Sequence, residues 1–481
     1  MTVNDSLPPT NLQDDTGGMP ASRYMTFIAI VAAIAGGLYG YDTGIISGAL
    51  LQISGEFGLD HTRQELVAAS ILAGAVLGAL GSTRLSARIG RRHTIMIVAA
   101  LYAVGVVACA LSPSALALGI SRFVLGFAVG GSTQIVPMYI AELAPPDKRG
   151  RLVTYFNVSI GVGILLAAIV GFVLQQHWSW RWMIGVAVFP ALLLLLGMTR
   201  LPASPRWLVE QGEFKRARAA LAKVRDTHSE VHEEIAGIRE VQELQEDAPG
   251  GWKALKQPWL RPALVAGLGV AAFTQLSGIE MMIYYTPTFL TDAGFGHSAA
   301  LLAALGVALV YLVMTFVGKL VVDHVGRRRL TLVMMPVAAL ALFALGATFH
   351  FRLGGEHHGA LVVFLLLAFM VFNAGGIQVI GWLLGSELYP LSVRDQATGA
   401  HAAVLWGSNL LLTGTALSMV NWLGVGGAMA VYGALNVLGV LFVYFLVPET
   451  AGRSLEDIER SLHDGTFLPH ARKPSPVTEA P

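Results

Sequence analysis

Charge is what this sequence has least of. Asp, Glu, Lys and Arg make up 13% of its 481 residues, about half the share usual in a soluble domain. A chain so poor in charge, with 54% hydrophobic residues and a mean hydropathy of +0.61, is not built to be solvated by water alone. Cysteine is nearly missing too. Cys109 stands alone, which excludes a disulfide framework and a cysteine-based metal centre. There is no HExxH, no GxSxG and no phosphate-binding glycine loop, so no enzyme is expected, and neither a cofactor nor a metal. His357 and His358 in EHHG have no further ligands around them and read as solvated loop residues. A net charge of +1 says nothing of an acidic partner, and no nucleic-acid partner is expected. The leading residues lack a basic segment followed by an apolar one, so no cleavable signal peptide is expected.

What the chain has in quantity is apolar runs of roughly 20 residues, each long enough to cross a bilayer as a helix. About twelve occur, starting near residues 25, 65, 94, 115, 153 and 181 and again near 260, 299, 330, 360, 396 and 428. The fold class expected is an all-α membrane protein of twelve transmembrane helices in two pseudo-symmetric six-helix bundles, with lipid as its solvent. The domains follow: a disordered tail 1–24, a bundle 25–201, a linker 202–259, a second bundle 260–447 and a tail 448–481. The linker carries Phe214, Ala217, Leu221 and Val224, then Ile235, Ile238, Val241 and Leu244, at helical spacing, and reads as short surface helices. Arg and Lys crowd alternate loops: Arg84, Arg88, Arg91 and Arg92; Lys148, Arg149 and Arg151; Arg327, Arg328 and Arg329. The loops SPS, TDAGFGHS and NWLGVGG between them are nearly free of basic residues. The positive-inside bias therefore puts both termini and the linker in the cytoplasm.

Two motifs recur in order. ARIGRRH follows span 2 and DHVGRRR follows span 8; ELAPPDKRG follows span 4 and ELYPLSVRD follows span 10. Two matches in register point to homologous halves related by an axis along the membrane normal, with a solute site between them. The acids and arginines of these loops, Glu142 with Arg149 and Glu387 with Arg394, faced by Arg88, Arg91 and Arg327 with Asp323 beside them, form a candidate gating charge network.

Asp42 sits inside GGLYGYDTGIISGAL, where hydrocarbon does not welcome a lone carboxylate. Counting at 1.5 Å per residue puts it roughly 12 Å below the outer end of span 1, and Arg122 roughly 10 Å below that of span 4. The two match in depth. They read either as a permanent ion pair between helices or as groups on an ion or substrate path. A sugar needs amides, hydroxyls and an aromatic wall; Asn157, Gln275, Glu280, Tyr284 and Trp382 supply such groups within the spans.

SRFVLGFAVGGSTQIVPMYIAELAPPDKRG, LPASPRWL, QLSGIEMMIYYTP, GWLLGSELYPLSVR and VPETAGRSLEDIE, in this order, resemble the sugar porters of the major facilitator superfamily. The resemblance implies alternating-access transport of a monosaccharide or polyol. It also implies proton symport, because symporters of the family carry Asp where Asp42 stands and many facilitators carry Asn. By the same resemblance Thr274 and Gln378 join the substrate-binding set. The chain departs from the family there: Thr274 replaces a Gln, Glu280 an Asn, Asn157 a Gln and Leu405 an amide, while Gln378 and Val379 stand for Gly and Pro. In the gating motifs Ala87 replaces an Asp and Ala203 a Glu, which suggests a weaker network in the first half. Glu280, roughly 15 Å inside span 7, accepts from sugar hydroxyls on the favoured reading, or titrates, or meets an amino-bearing substrate, or pairs silently. The alternatives to proton-sugar symport are a proton-independent facilitator and a carrier of a non-sugar organic solute. A monomer in the plasma (inner) membrane is expected.

Overall fold

The computed structural model describes residues 21–469 except 175–176, 226, 247–251, 391–392 and 454. The leading tail and HARKPSPVTEAP lie outside the described residues. Within them eleven helical segments are long and apolar enough to cross a membrane. Spans 1 to 6 are Arg23–Phe57, His61–Ile89, Arg91–Ala110, Ala115–Leu143, Tyr155–Leu174 and Trp180–Arg200. Spans 7 to 10 are Pro258–Asp292, His297–Val325, Arg327–Phe351 and Gly355–Gly385, and span 12 is Ala416–Leu446. Span 11 is the helix Arg394–Thr413, whose Arg394, His401 and Asn409 make it more polar than the rest.

The helices start where the sequence offers caps. Asp60 accepts from the Arg63 N–H at 2.9 Å and Ser114 from that of Ala117 at 3.2 Å, each satisfying a donor the first helical turn leaves free. Spans 3 and 9 begin differently. Gly90 has φ 84° and Gly326 φ 96°, a backbone conformation only glycine adopts without strain, so the chain turns sharply and delivers Arg91 and Arg327 at the first helical position.

Among the described residues four spans are discontinuous. Span 7 breaks between Leu276 and Ile279, with Gly278 at φ 94°, as the glycine in QLSGIE suggests. Span 10 breaks at Gly375 and Gly376, which reading the run as one apolar stretch did not reveal. Span 6 breaks between Gly185 and Val188. NWLGVGG, expected to be a loop after span 11, lies within Ala416–Leu446, where Gly424 at φ 71° and ψ 167° is non-helical and separates two helices.

Two compact units result: Met1–Ala248 with Ile283–Leu312, and Pro249–Met282 with Val313–Pro481. In the first unit Gly36, Gly40 and Gly44 of span 1 lie against the backbone of Phe156, Ile160 and Ile164 in span 5. Small residues four apart let two helices meet backbone to backbone, the usual source of close packing where lipid removes the hydrophobic drive. A β-carbon at Gly40 would overlap the Ile160 backbone. Gly40→Leu is therefore expected to cost about 3 kcal/mol and to lower the thermal unfolding midpoint in detergent by several degrees. An unchanged midpoint would refute that packing. In the second unit Gly346 of span 9 meets Gly426 of span 12 in the same manner.

The linker folds as Pro205–Glu210, Phe214–Leu221 and His228–Glu246, with Ala217, Leu221 and Val224 buried as their spacing predicts and Phe214, of the same set, exposed. One feature was not legible. Arg225, 4% exposed, grips Glu234 through two bonds of 2.6 and 2.8 Å and donates to the Leu143 carbonyl at 2.9 Å. The linker is thereby tied to the last turn of span 4.

Candidate transport site

The repeated motifs build the same cluster in both units. In the first, Arg91 donates to Glu142 from Nε at 3.1 Å and from Nη2 at 3.1 Å; the Ser204 hydroxyl donates to the other carboxylate oxygen. In the second, Arg327 reaches Glu387 from Nη2 at 2.7 Å and from Nε at 3.1 Å, and the Thr450 hydroxyl donates to Glu387 at 2.9 Å. Asp323 adds a contact to Arg327 at 2.8 Å. Ser204 lies in LPAS and Thr450 in VPET, a third repeated motif that the sequence reading passed over because only its Pro is shared. In the first cluster the two carboxylate oxygens are divided between the guanidinium and the hydroxyl; in the second Arg327 takes both oxygens of Glu387, the fork geometry in which charge-assisted bonds are strongest, and Thr450 shares Oε2 with it.

Within that motif the halves differ in charge at one position. Glu449 of VPET accepts from the backbone N–H of Arg327 at 2.8 Å, Arg328 at 3.1 Å and Arg329 at 3.4 Å. An anion at a helix N-terminus meets both free donors and the positive end of the dipole. The matching position in LPAS is Ala203, which has no carboxylate to offer. Glu449→Ala is expected to cost about 1–2 kcal/mol, read as a lower unfolding midpoint; no loss would show that the N-terminus is satisfied without it.

Among the remaining network residues, Arg394 donates twice to the Tyr389 carbonyl, both at 3.2 Å. Its expected partner Glu387 is taken by Arg327 and Thr450. Arg88 is exposed and makes no ion pair among the described residues. Arg149 lies outside the residues whose side chains are described.

Asp42 and Arg122 are both buried, at 4% and 1% exposure, and close enough for their charges to interact, yet they do not close into an ion pair. Arg122 Nε donates to the Val67 carbonyl of span 2 at 3.0 Å, and its Nη2 has no partner. Tyr41, the neighbour of Asp42, donates to the Met183 carbonyl at 2.6 Å, in the short helix before the break of span 6. Tyr102 donates to the Leu38 carbonyl at 2.9 Å.

The polar residues of the spans divide between the units. Thr274, Gln275, Glu280, Gln378 and Trp382 belong to the second; Asn157 and Tyr284 belong to the first. Thr274 is fully buried, donates within its own helix to the Val270 carbonyl at 2.7 Å and has Gly381, the residue before Trp382, pressed against it. Tyr284 is 2% exposed, whereas Asn157 and Trp382 are half-buried. Glu280 is 3% exposed and pairs with the Asn409 side chain of span 11, a partner no sequence spacing announces. His401 of the same span lies between the Gly381 carbonyl at 2.7 Å and the Tyr389 hydroxyl at 3.1 Å.

The sequence profile of the sugar (and other) transporters matches residues 28–462. The chain belongs to this family. It is an integral, multi-pass membrane protein with the twelve-helix, two-bundle fold of the major facilitator superfamily. The transporter is 40% identical to the putative metabolite transport protein YwtG of Bacillus subtilis over 90% of this chain and 94% of that one. It is 35% identical to the galactose-proton symporter of Escherichia coli over 93% and 97% of the two chains. Its fold superimposes on the partially occluded, inward-open xylose transporter XylE from E. coli with a TM-score of 0.78, at 26% identity, covering 90% of this chain and all of that one.

Proposed function

We propose that the protein is a secondary active transporter, not an enzyme, that imports a monosaccharide or polyol together with protons by alternating access. It acts as a monomer in the plasma membrane with both termini cytoplasmic and takes no nucleic-acid partner. The relatives support the solute class: one is a galactose-proton symporter and another a D-xylose transporter of Levilactobacillus brevis. The observation that carries proton coupling is the open pair of Asp42 and Arg122. A purely structural pair would be closed, since a buried charge without its partner costs several kcal/mol. Here the arginine is held by Val67 and keeps an unused donor beside a buried carboxylate. Such a pair can close when Asp42 is ionised and relax when it is protonated, a charge change that biases a two-state element.

The duplicated clusters at Arg91–Glu142 and Arg327–Glu387 supply that element. They sit at the loops that carry the basic residues, and breaking or making them shifts the balance of states. Thr274, Gln275, Glu280, Tyr284, Gln378, Trp382 and Asn157 are assigned to the solute. The test is uptake of labelled pentoses, hexoses and polyols into vesicles with and without an imposed pH gradient. Gradient-driven accumulation is expected; uptake that never exceeds equilibration would make the protein a facilitator.

A further inference from the structure

Residues around the break in span 7 carry buried acceptors that have no donor. Glu280 Oε2 is buried and unpartnered, although Asn409 meets the carboxyl through its side chain. The orientation of Asn409 is fixed, because its Oδ1 already accepts the Thr413 hydroxyl at 2.8 Å, leaving its amide hydrogens for Glu280. Asn436 gives both amide hydrogens away, to the Ser277 carbonyl at 2.7 Å and the Tyr432 carbonyl at 2.8 Å, which leaves its Oδ1 without a donor. Gln275 Oε1 is likewise unpartnered. All three residues are at most 3% exposed, and all three unmet atoms accept.

Glu280 forms no ion pair with any described residue. A buried carboxylate in a membrane protein needs a countercharge or a proton. A sugar hydroxyl satisfies one acceptor but brings no charge. An ammonium brings the charge and three donors, which matches the unmet Glu280 Oε2. We propose that the break in span 7 recognises a protonated amine, so that the transporter prefers amino-bearing sugars in which an ammonium replaces one hydroxyl. The proposal rests on the sugar-transport reading and deepens it.

The test uses the full chain in vesicles taking up labelled glucose under an imposed pH gradient. Competitors are unlabelled glucose, its 2-amino and 6-amino derivatives, and the N-acetyl form of each amine, which keeps the bulk and loses the charge. At least one amine is expected to compete at a concentration tenfold or more below that of glucose, the gap between a charged and a neutral donor in net hydrogen-bond strength. Its N-acetyl form should lose that advantage. Labelled amine should itself enter and accumulate. In Glu280→Gln the preference ratio should collapse toward one, and Glu280→Asp should restore part of it. Equal competition by amines and glucose in the unaltered protein overturns the proposal without need of any variant, and so does a ratio untouched by Glu280→Gln. If no pentose, hexose, polyol or amine enters, the sugar-transport reading itself fails; if a sugar enters and the amines enter no better, only the preference for amines does.

Discussion

Asp42→Asn is expected to abolish accumulation of sugar against its gradient while leaving exchange across the membrane in place. With one proton carried per sugar, each unit of imposed pH difference can support about a tenfold concentration ratio, since 1.4 kcal/mol corresponds to a factor of ten. The variant should hold that ratio at one whatever the gradient. The reason lies in what the substitution keeps. Asparagine has nearly the volume of aspartate, so the packing of span 1 on span 5 is retained, and its amide oxygen can still accept from the free Nη2 of Arg122. What it cannot do is bind and release a proton. A merely structural Asp42 would give the opposite pattern: lower stability and slower exchange, with the accumulation ratio preserved. Measuring entry, exchange and the steady-state ratio on the same vesicles separates the two, and a ratio above one in the variant sinks the assignment.

The spans, their alternating basic loops and the two-fold repeat were legible because each is written in local composition: hydropathy over roughly 20 residues, Arg between spans, short strings repeated in register. Asp42, Arg122 and Glu280 stood out for the same reason, as charges where the surroundings carry none. The break at Gly278 was foreshadowed by a single glycine, and the paired Gly375 and Gly376 could have been read likewise. What was not legible depends on which helix faces which. Nothing in the spacing of Glu280 and Asn409 joins spans 7 and 11, and nothing in the linker announces that Arg225 reaches Leu143. The third repeat was hidden because LPAS and VPET share only their Pro, and what they have in common is the placement of one hydroxyl. The expectation that Ala87 and Ala203 weaken the first network counted charges without burial.

Burial reverses that expectation and sets the second prediction. The Arg91 side chain is 4% exposed and Glu142 9%, while Arg91 finds Glu210 only at 3.9 Å. Arg327 is 11% exposed, Glu387 23%, and Asp323 stands by at 2.8 Å. Glu142→Gln thus takes the nearer carboxylate from a buried guanidinium, and breaking a buried pair usually costs about 3–5 kcal/mol. Glu387→Gln leaves Arg327 a second acid and removes charge-assisted bonds worth about 1.5–3 kcal/mol. The unfolding midpoint should fall further in Glu142→Gln, and equal losses would refute the ranking. Both variants should slow exchange at least tenfold, but stability alone does not make a gate. The decisive variant is Arg91→Met combined with Glu142→Gln. With both charges gone neither member of the pair is left as an unpaired charge, and replacing a buried pair by uncharged residues is often neutral for stability. The unfolding midpoint should therefore return toward that of the unaltered protein. Exchange should not, because the element that is broken and remade during the cycle is then missing. If exchange recovers along with stability, Arg91 and Glu142 hold the fold together and do not switch it.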